Sequence, residues 1–153
     1  MDLILWRHAE ALDAEDGSVD LDRALTTRGE RQAARMAHWL NQHLPATTRV
    51  LVSPARRTQQ TAQALERKFK TVAAVGPDAT AQDVLSAVRW PDVKEPVLVV
   101  GHQPTLGHVA AYLMAGVVQP WSMKKGAVWW LRRRDRDGDE RTVLVTVRAP
   151  DNV

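Results

Sequence analysis

The chain contains no cysteine. That removes disulfides, thiolate nucleophiles and Cys-ligated zinc, and it suits a reducing compartment. No apolar run approaches the ~20 residues needed to cross a bilayer. Met1 leads at once into Asp2 and an apolar tetrad rather than a signal peptide, so a cytoplasmic protein without membrane contact is expected. Internal repeats, low-complexity tracts and interdomain linkers are missing too. The 153 residues are expected to form a single domain, 1–153, long enough to bury its own core. Excess charge is small: 21 Lys and Arg against 18 Asp and Glu leave +3, with most cations interleaved with acids, which argues against a nucleic-acid partner. The densest charged run, LRRRDRDGDERT, alternates in sign across a turn signal and reads as solvated.

What is present is an ordinary globular composition, 44% hydrophobic and 25% charged. Leu3, Ile4, Leu5 and Trp6 form a short continuous apolar run that stops on Arg7 and His8, as a strand covered on both faces does at its carboxyl end. A polar loop follows. Ala33, Met36, Ala37, Leu40 and Leu44 then recur at helical spacing and predict a helix from Glu30 to about His43, with Thr26 or Thr27 as cap and Pro45 beyond its end. His38 and His43 lie on this helix and read as solvated. Val50 to Val52 predicts a strand. Ser53 and Pro54 read as N-cap and first residue of a helix with Ala55, Ala62, Leu65 and Phe69 on one face and Arg57 in its first turn.

TVAAV suggests a short strand, and a helix is expected to start near Asp78. Val97 to Val100 repeats the first design: a Val-rich strand, then Gly101 and His102 at its tip, then Pro104 opening a helix with Leu106, Val109, Ala110 and Leu113 inward. Two β-favouring runs flank DRDGDE and predict a hairpin centred on Asp137 and Gly138. Trp129 and Trp130, two of six tryptophans, are neighbours on a predicted strand and must face opposite sides. Trp6 reads as core.

Strand tips of an α/β sheet are where ligands bind. Gathering them brings Arg7, His8, Arg57 and His102 toward one pocket. Guanidinium forks match a tetrahedral oxyanion, a neutral imidazole can attack phosphorus, and a second imidazole, protonated, can stabilise the equatorial oxygens. Two histidines also suggest a metal, but His102 and His108 are wrongly spaced for two ligands on one helical face. No metal is therefore expected.

The stretches RHAEALD (Arg7 to Asp13), DRALTTRGERQA (Asp22 to Ala33), SPARRTQQTA (Ser53 to Ala62) and GHQPTLG (Gly101 to Gly107) resemble, in order, motifs of the histidine phosphatase superfamily. The likeness is strongest to its small SixA-type phosphohistidine phosphatases. It implies a three-layer α/β/α sandwich with a mostly parallel central sheet. It further implies that His8 is the nucleophile that becomes phosphorylated, that Arg7, Arg57 and His102 grip the phosphoryl group, and that Arg23 lies near the phosphate entrance. No cofactor is implied.

Two departures from the family pattern matter. The family usually reads Arg-His-Gly, and here the third residue is Ala9, which fits if its φ is negative. Branches that cleave phosphate esters carry a glutamate acid in a longer insert after the second helix. Here the segment between Lys70 and Gln82 is short, leaving Asp78 and Glu10 as the candidate general acids, with helix capping the plainer reading of Asp78. Imidazole leaves phosphorus far more readily than an alkoxide, so an acid-poor rim favours P–N cleavage. The expected activity is removal of phosphate from protein phosphohistidine through a phosphorylated His8. The alternatives are hydrolysis of a small phosphoester or nucleotide, or a catalytically silent phosphate-binding regulator.

Overall fold

The computed structural model describes all 153 residues. Six strands form one sheet in the order β3-β2-β4-β1-β5-β6. They are β1 (Asp2–Arg7), β2 (Arg49–Val52), β3 (Lys70–Thr71), β4 (Val97–Gly101), β5 (Val128–Arg136) and β6 (Asp139–Arg148). The four helices are α1 (Thr27–His43), α2 (Arg56–Gln63), α3 (Ala81–Val88) and α4 (Thr105–Ala115). Strands β3, β2, β4 and β1 pair in parallel, whereas β5 runs antiparallel to both β1 and β6. The sheet is therefore mixed, its parallel half carrying the strand tips.

Side-chain alternation builds the layers. Leu3 and Leu5 face one side of the sheet with Leu51, Val97 and Val99, and pack under α3 and α4. Ile4 and Trp6 face the other with Val50, Val52, Leu98 and Val100, under Met36, Ala37 and Leu40 of α1 and Ala62 of α2. A period of two on a strand covered on both faces produces the unbroken apolar runs seen in the sequence. Trp130 belongs to the α1 side, edge-on to Trp39 at 6.2 Å, while Trp129 turns to the opposite side beside Trp121. The β5–β6 turn has Asp137 and Gly138 at φ 54° and 79°, the left-handed pair that a two-residue hairpin requires.

Several boundaries differ from the sequence reading. Helix α1 begins at Thr27, capped by the Thr26 hydroxyl, which accepts the Gly29 N–H at 2.9 Å. Helix α2 starts at Arg56 rather than Pro54, so Ala55 takes the cap position and Ser53 lies two residues before it, its hydroxyl accepting the Ala55 N–H and meeting His102. It also ends at Gln63. Glu66, at φ 55°, turns the chain, and Leu65 and Phe69 reach the core from beyond the helix. The TVAAV segment pairs only at its start, Thr71 being the last residue of β3, and then closes into a 3₁₀ turn over Ala73–Val75. Helix α3 begins at Ala81, capped reciprocally by Thr80 and Asp83 at 3.1 and 2.9 Å, so Asp78 caps nothing.

Candidate active site

Register places the site. In β1 and β4, Arg7 sits opposite Gly101; in β2 and β4, Val52 sits opposite Val100. The next residues on three adjacent tips are therefore His8, His102 and Ser53. Backbone bonds extend the pairing past the tips, from His8 N–H to Gly101 O at 3.1 Å and from Ser53 N–H to Val100 O at 3.1 Å. Arg57, in the first turn of α2, leans back over the same edge. A cavity of about 190 Å³ opens there, lined by Arg7, His8, Arg23, Arg57 and His102, and also by Asp13, Gln103 and Lys125. The imidazoles of His8 and His102 stand 5.4 Å apart, centroid to centroid.

The His8 tautomer follows from its partner. Nδ1 lies 2.7 Å from the Ala9 carbonyl, which only accepts, so Nδ1–H donates and the lone pair is left on Nε2. Burial drives the His8 pKa down to about 4, the Ala9 bond opposes this, and Arg57, Arg7 and Arg23 lower it further. Near neutrality His8 is therefore uncharged, with the Nε2 lone pair free. His102 falls to about 3, first through burial and then through His8 and Arg57. This corrects the expectation of a protonated second imidazole. Ser53 Oγ accepts the Ala55 N–H at 3.3 Å, leaving its own proton for His102 Nε2 at 2.7 Å. That network assigns the His102 proton to Nδ1, a buried atom without a hydrogen-bond partner in the protein.

Arg7 Nη1 donates to the Met123 carbonyl at 2.7 Å; Arg57 donates from Nη1 to the Asp20 carbonyl at 3.0 Å and from Nη2 to the Asp20 carboxylate at 3.2 Å. The Nε–H of each guanidinium is buried and unpartnered. Burial lowers both pKa values from the usual guanidinium range, and Asp20 partly restores that of Arg57. The other Asp20 oxygen accepts from Arg23 Nε at 3.0 Å, so one carboxylate braces two arginines. Burial would raise its pKa, but Arg57 and Arg23 outweigh that and hold Asp20 below the usual carboxylate range.

Ala9 fits its position: positive φ at non-glycine residues is confined to Glu66, Arg89 and Asp137, and Ala9 is fully buried with Leu25 and Ala33. Its N–H donates to Thr61 Oγ1 at 3.1 Å, which ties the residue after His8 to α2. Gly29 packs so closely on this segment that a Cβ there would lie 2.0 Å from the Glu10 carbonyl oxygen.

Of the sequence-predicted residues, Arg7, His8, Arg23, Arg57 and His102 come together, and the two candidate acids do not join them. Glu10 accepts the Thr26 hydroxyl at 2.8 Å and is absent from the cavity wall. Asp78 lines the neighbouring depressions, and Pro77 beside it reaches the cavity wall where Asp78 does not. Sequence reasoning missed Ser53, Asp20, Asp13, Gln103 and Lys125. Ser53, Asp13 and Gln103 lay inside or beside quoted motifs, but nothing local distinguishes Asp20 or Lys125 from other surface charges.

The profile of the histidine phosphatase superfamily (branch 1) matches residues 3–80. An uncharacterised protein of Picosynechococcus is 33% identical over 147 residues, covering 86% of this chain and 85% of its own. The phosphohistidine phosphatase SixA of Escherichia coli is 35% identical over 130 residues, 78% of each chain. A solved structure of the protein histidine phosphatase SixA complexed with tungstate superposes with a TM-score of 0.79 at 28% identity, over 99% of both chains. With its profile matched across about half the chain and a SixA relative 35% identical, this protein belongs to the histidine phosphatase superfamily, branch 1.

Proposed function

We propose that this protein removes phosphate from phosphohistidine in proteins through a covalent intermediate on His8. One observation carries the reading: three buried donors without protein partners, Arg7 Nε–H, Arg57 Nε–H and His102 Nδ1–H, belong to residues lining the cavity that holds His8. Buried N–H groups are normally satisfied, so this set calls for an acceptor with several oxygens.

In the first step the lone pair of His8 Nε2 forms a bond to phosphorus in line with the departing nitrogen. The substrate's P–N bond breaks, its electron pair returns to the leaving imidazole, and that ring, protonated on its other nitrogen, departs neutral. Arg7, Arg57 and His102 hold the three equatorial oxygens. The phosphorylated His8 ring is cationic, and its Nδ1–H remains bonded to the Ala9 carbonyl. In the second step water attacks phosphorus and releases a proton to solvent, and the P–N electron pair returns to Nε2.

The supply of acids favours P–N over P–O cleavage. Asp13 is the one carboxylate on the cavity wall, and it is exposed. Its position also supports a second reading, hydrolysis of a small phosphoester or nucleotide with Asp13 as general acid. The partner in the favoured reading is a phosphorylated protein, and a cytoplasmic setting fits a chain without cysteine.

The test compares kcat/KM for a phosphohistidine peptide with a panel of phosphate esters, using wild type, His8→Ala and Asp13→Asn. The favoured reading expects preference for the peptide, loss of turnover in His8→Ala, and little effect of Asp13→Asn. Faster ester turnover that collapses in Asp13→Asn would establish the second reading, and no turnover of either the peptide or any ester would leave a silent phosphate-binding protein.

A further inference from the structure

Beside the catalytic cavity lies a second, larger cleft of about 490 Å³, walled by Arg28, Arg31 and Arg35 of α1 and by Lys124 and Lys125 of the loop before β5. Asp151 is the only acid on its lining. We propose that this cleft docks an acidic surface segment of the protein that carries the phosphohistidine. The proposal rests on the function inferred above and names how that substrate is recognised.

Charge balance sets the cleft apart, because five cations share its lining with one acid. Other arginines are offset by a carboxylate at hand, Arg132 by Asp2, Arg133 by Glu140, Arg141 by Asp139, and Arg23 and Arg57 by Asp20. In the cleft only Lys124 has an acidic neighbour, Asp151 at 3.9 Å, while Arg35 donates to the Pro150 carbonyl. Arg28, Arg31 and Lys125 form no ion pair. The three arginines follow at i, i+3 and i+7 on one helical face, where adjacent like charges repel. A free protein gains no stability from that arrangement, and an anionic partner relieves it.

Shape selects the partner. From Arg28 to Arg35 the helix rises about 10 Å, so the guanidiniums are spread along a line instead of converging on one point. Three or four residues of extended chain, at about 3.3 Å each, span that line with carboxylates. A single phosphate cannot.

Both walls are referenced to the nucleophile. The first turns of α1 meet it through Gln32, whose Oε1 accepts the Glu10 N–H at 3.0 Å, and through Gly29 packed on the Glu10 carbonyl. The opposite loop is held by Gly126 N–H donating to His8 O at 3.0 Å and by Arg7 donating to Met123 O at 2.7 Å. Lys125 lines both cavities and joins them. A segment seated among the arginines is thereby delivered at a fixed offset from His8 Nε2.

The experiment uses two phosphohistidine peptides that differ only in one flank, four Glu in one and four Gln in the other. Wild type is expected to prefer the Glu peptide by about tenfold in kcat/KM at low ionic strength. That preference should vanish in about 1 M salt, where charges beyond about 3 Å are screened. The triple variant Arg28→Gln, Arg31→Gln, Lys124→Gln, all exposed positions, should lose the preference while hydrolysing a small phosphoramidate at the wild-type rate. Equal turnover of the two peptides by wild type overturns the proposal, as does a triple variant that retains the preference. Should that variant not fold, the salt dependence of the wild-type preference decides. If neither peptide is hydrolysed, the proposed function fails, and docking is still decided by fluorescence anisotropy of both peptides on His8→Ala. There, equal binding, or displacement of the Glu peptide by an equal concentration of a single-stranded oligonucleotide, counts against an acidic protein segment.

Discussion

Acidification to about pH 5 should destabilise this fold by about 4 kcal/mol relative to about pH 7.5, through two histidines. His8 and His102 are 8% and 3% exposed, and burial, the largest cause in each, brings them to about 4 and about 3. In the unfolded chain both return to about 6.5. Arg57, Arg7 and Arg23 push His8 further down against the Ala9 carbonyl; His8 and Arg57 do the same to His102 against Asp20. Below about pH 6.5 the unfolded chain therefore binds protons that the native state refuses. Stability is complete above that value and declines as pH falls, until the native histidines themselves titrate. At pH 5 the linkage integral gives about 2 kcal/mol for each, a large part of the 5–15 kcal/mol typical of a domain. Asp2 and Asp20, both held below the usual carboxylate range, lose their contribution only at lower pH and leave this window clean. Urea unfolding at the two pH values reads the effect as a fall in midpoint at constant slope. The His8→Gln, His102→Gln double variant should show almost none of it. A wild-type midpoint that is flat across the window, or that moves as much as the double variant's, refutes the assignment of both imidazoles as neutral.

Three substitutions test the surrounding network. Ser53→Ala removes the partner of His102 Nε2, which should cost about 1–2 kcal/mol of stability and lower kcat roughly tenfold with little change in KM; equal effects on kcat and KM, or none, would show that Ser53 does not set the His102 tautomer. Arg57→Lys keeps the charge, but one ammonium cannot hold both Asp20 and an oxyanion, so kcat/KM for a phosphoramidate should drop about 100-fold, and near-normal activity would dismiss the bidentate role. Gly29→Ala sets a Cβ 2.0 Å from the Glu10 carbonyl oxygen, a clash with backbone that should cost about 3 kcal/mol or more by denaturant titration and reduce turnover through the adjoining nucleophile; a stable, active variant would contradict that packing.

Local pattern was enough to locate the parts that depend only on chain neighbours. The Leu3 to Trp6 run covered on both faces, the alternation of Trp129 and Trp130, and the Asp137–Gly138 turn are each set by a two-residue side-chain period or by backbone conformation. The motif around Arg7 and His8, with Arg57 and His102, was legible for the same reason: each ends a strand or opens a helix, and chemistry at strand tips is common to α/β sheets. Helix boundaries were less legible. Ser53 before Pro54 has every local mark of a cap, yet the helix begins only at Arg56 and the Ser53 hydroxyl also serves His102, a partner distant in the chain.

Tertiary structure decided the rest. Ser53 meets His102 across 49 residues and Arg57 meets Asp20 across 37, while Glu10 is drawn to Thr26 and away from the cavity. Chain separation scarcely ranks such partners, because doubling a loop changes its closure cost by only about 0.6 kcal/mol. What ranks them is the β2-β4-β1 order with its register, a collective result of burying Leu3 and Leu5 on one face and Ile4 and Trp6 on the other. The amino-acid sequence on its own determined which ionisable side chains stand at the strand tips. Their protonation states, and which of their donors were left without a protein partner, arose only when that sheet closed and buried them.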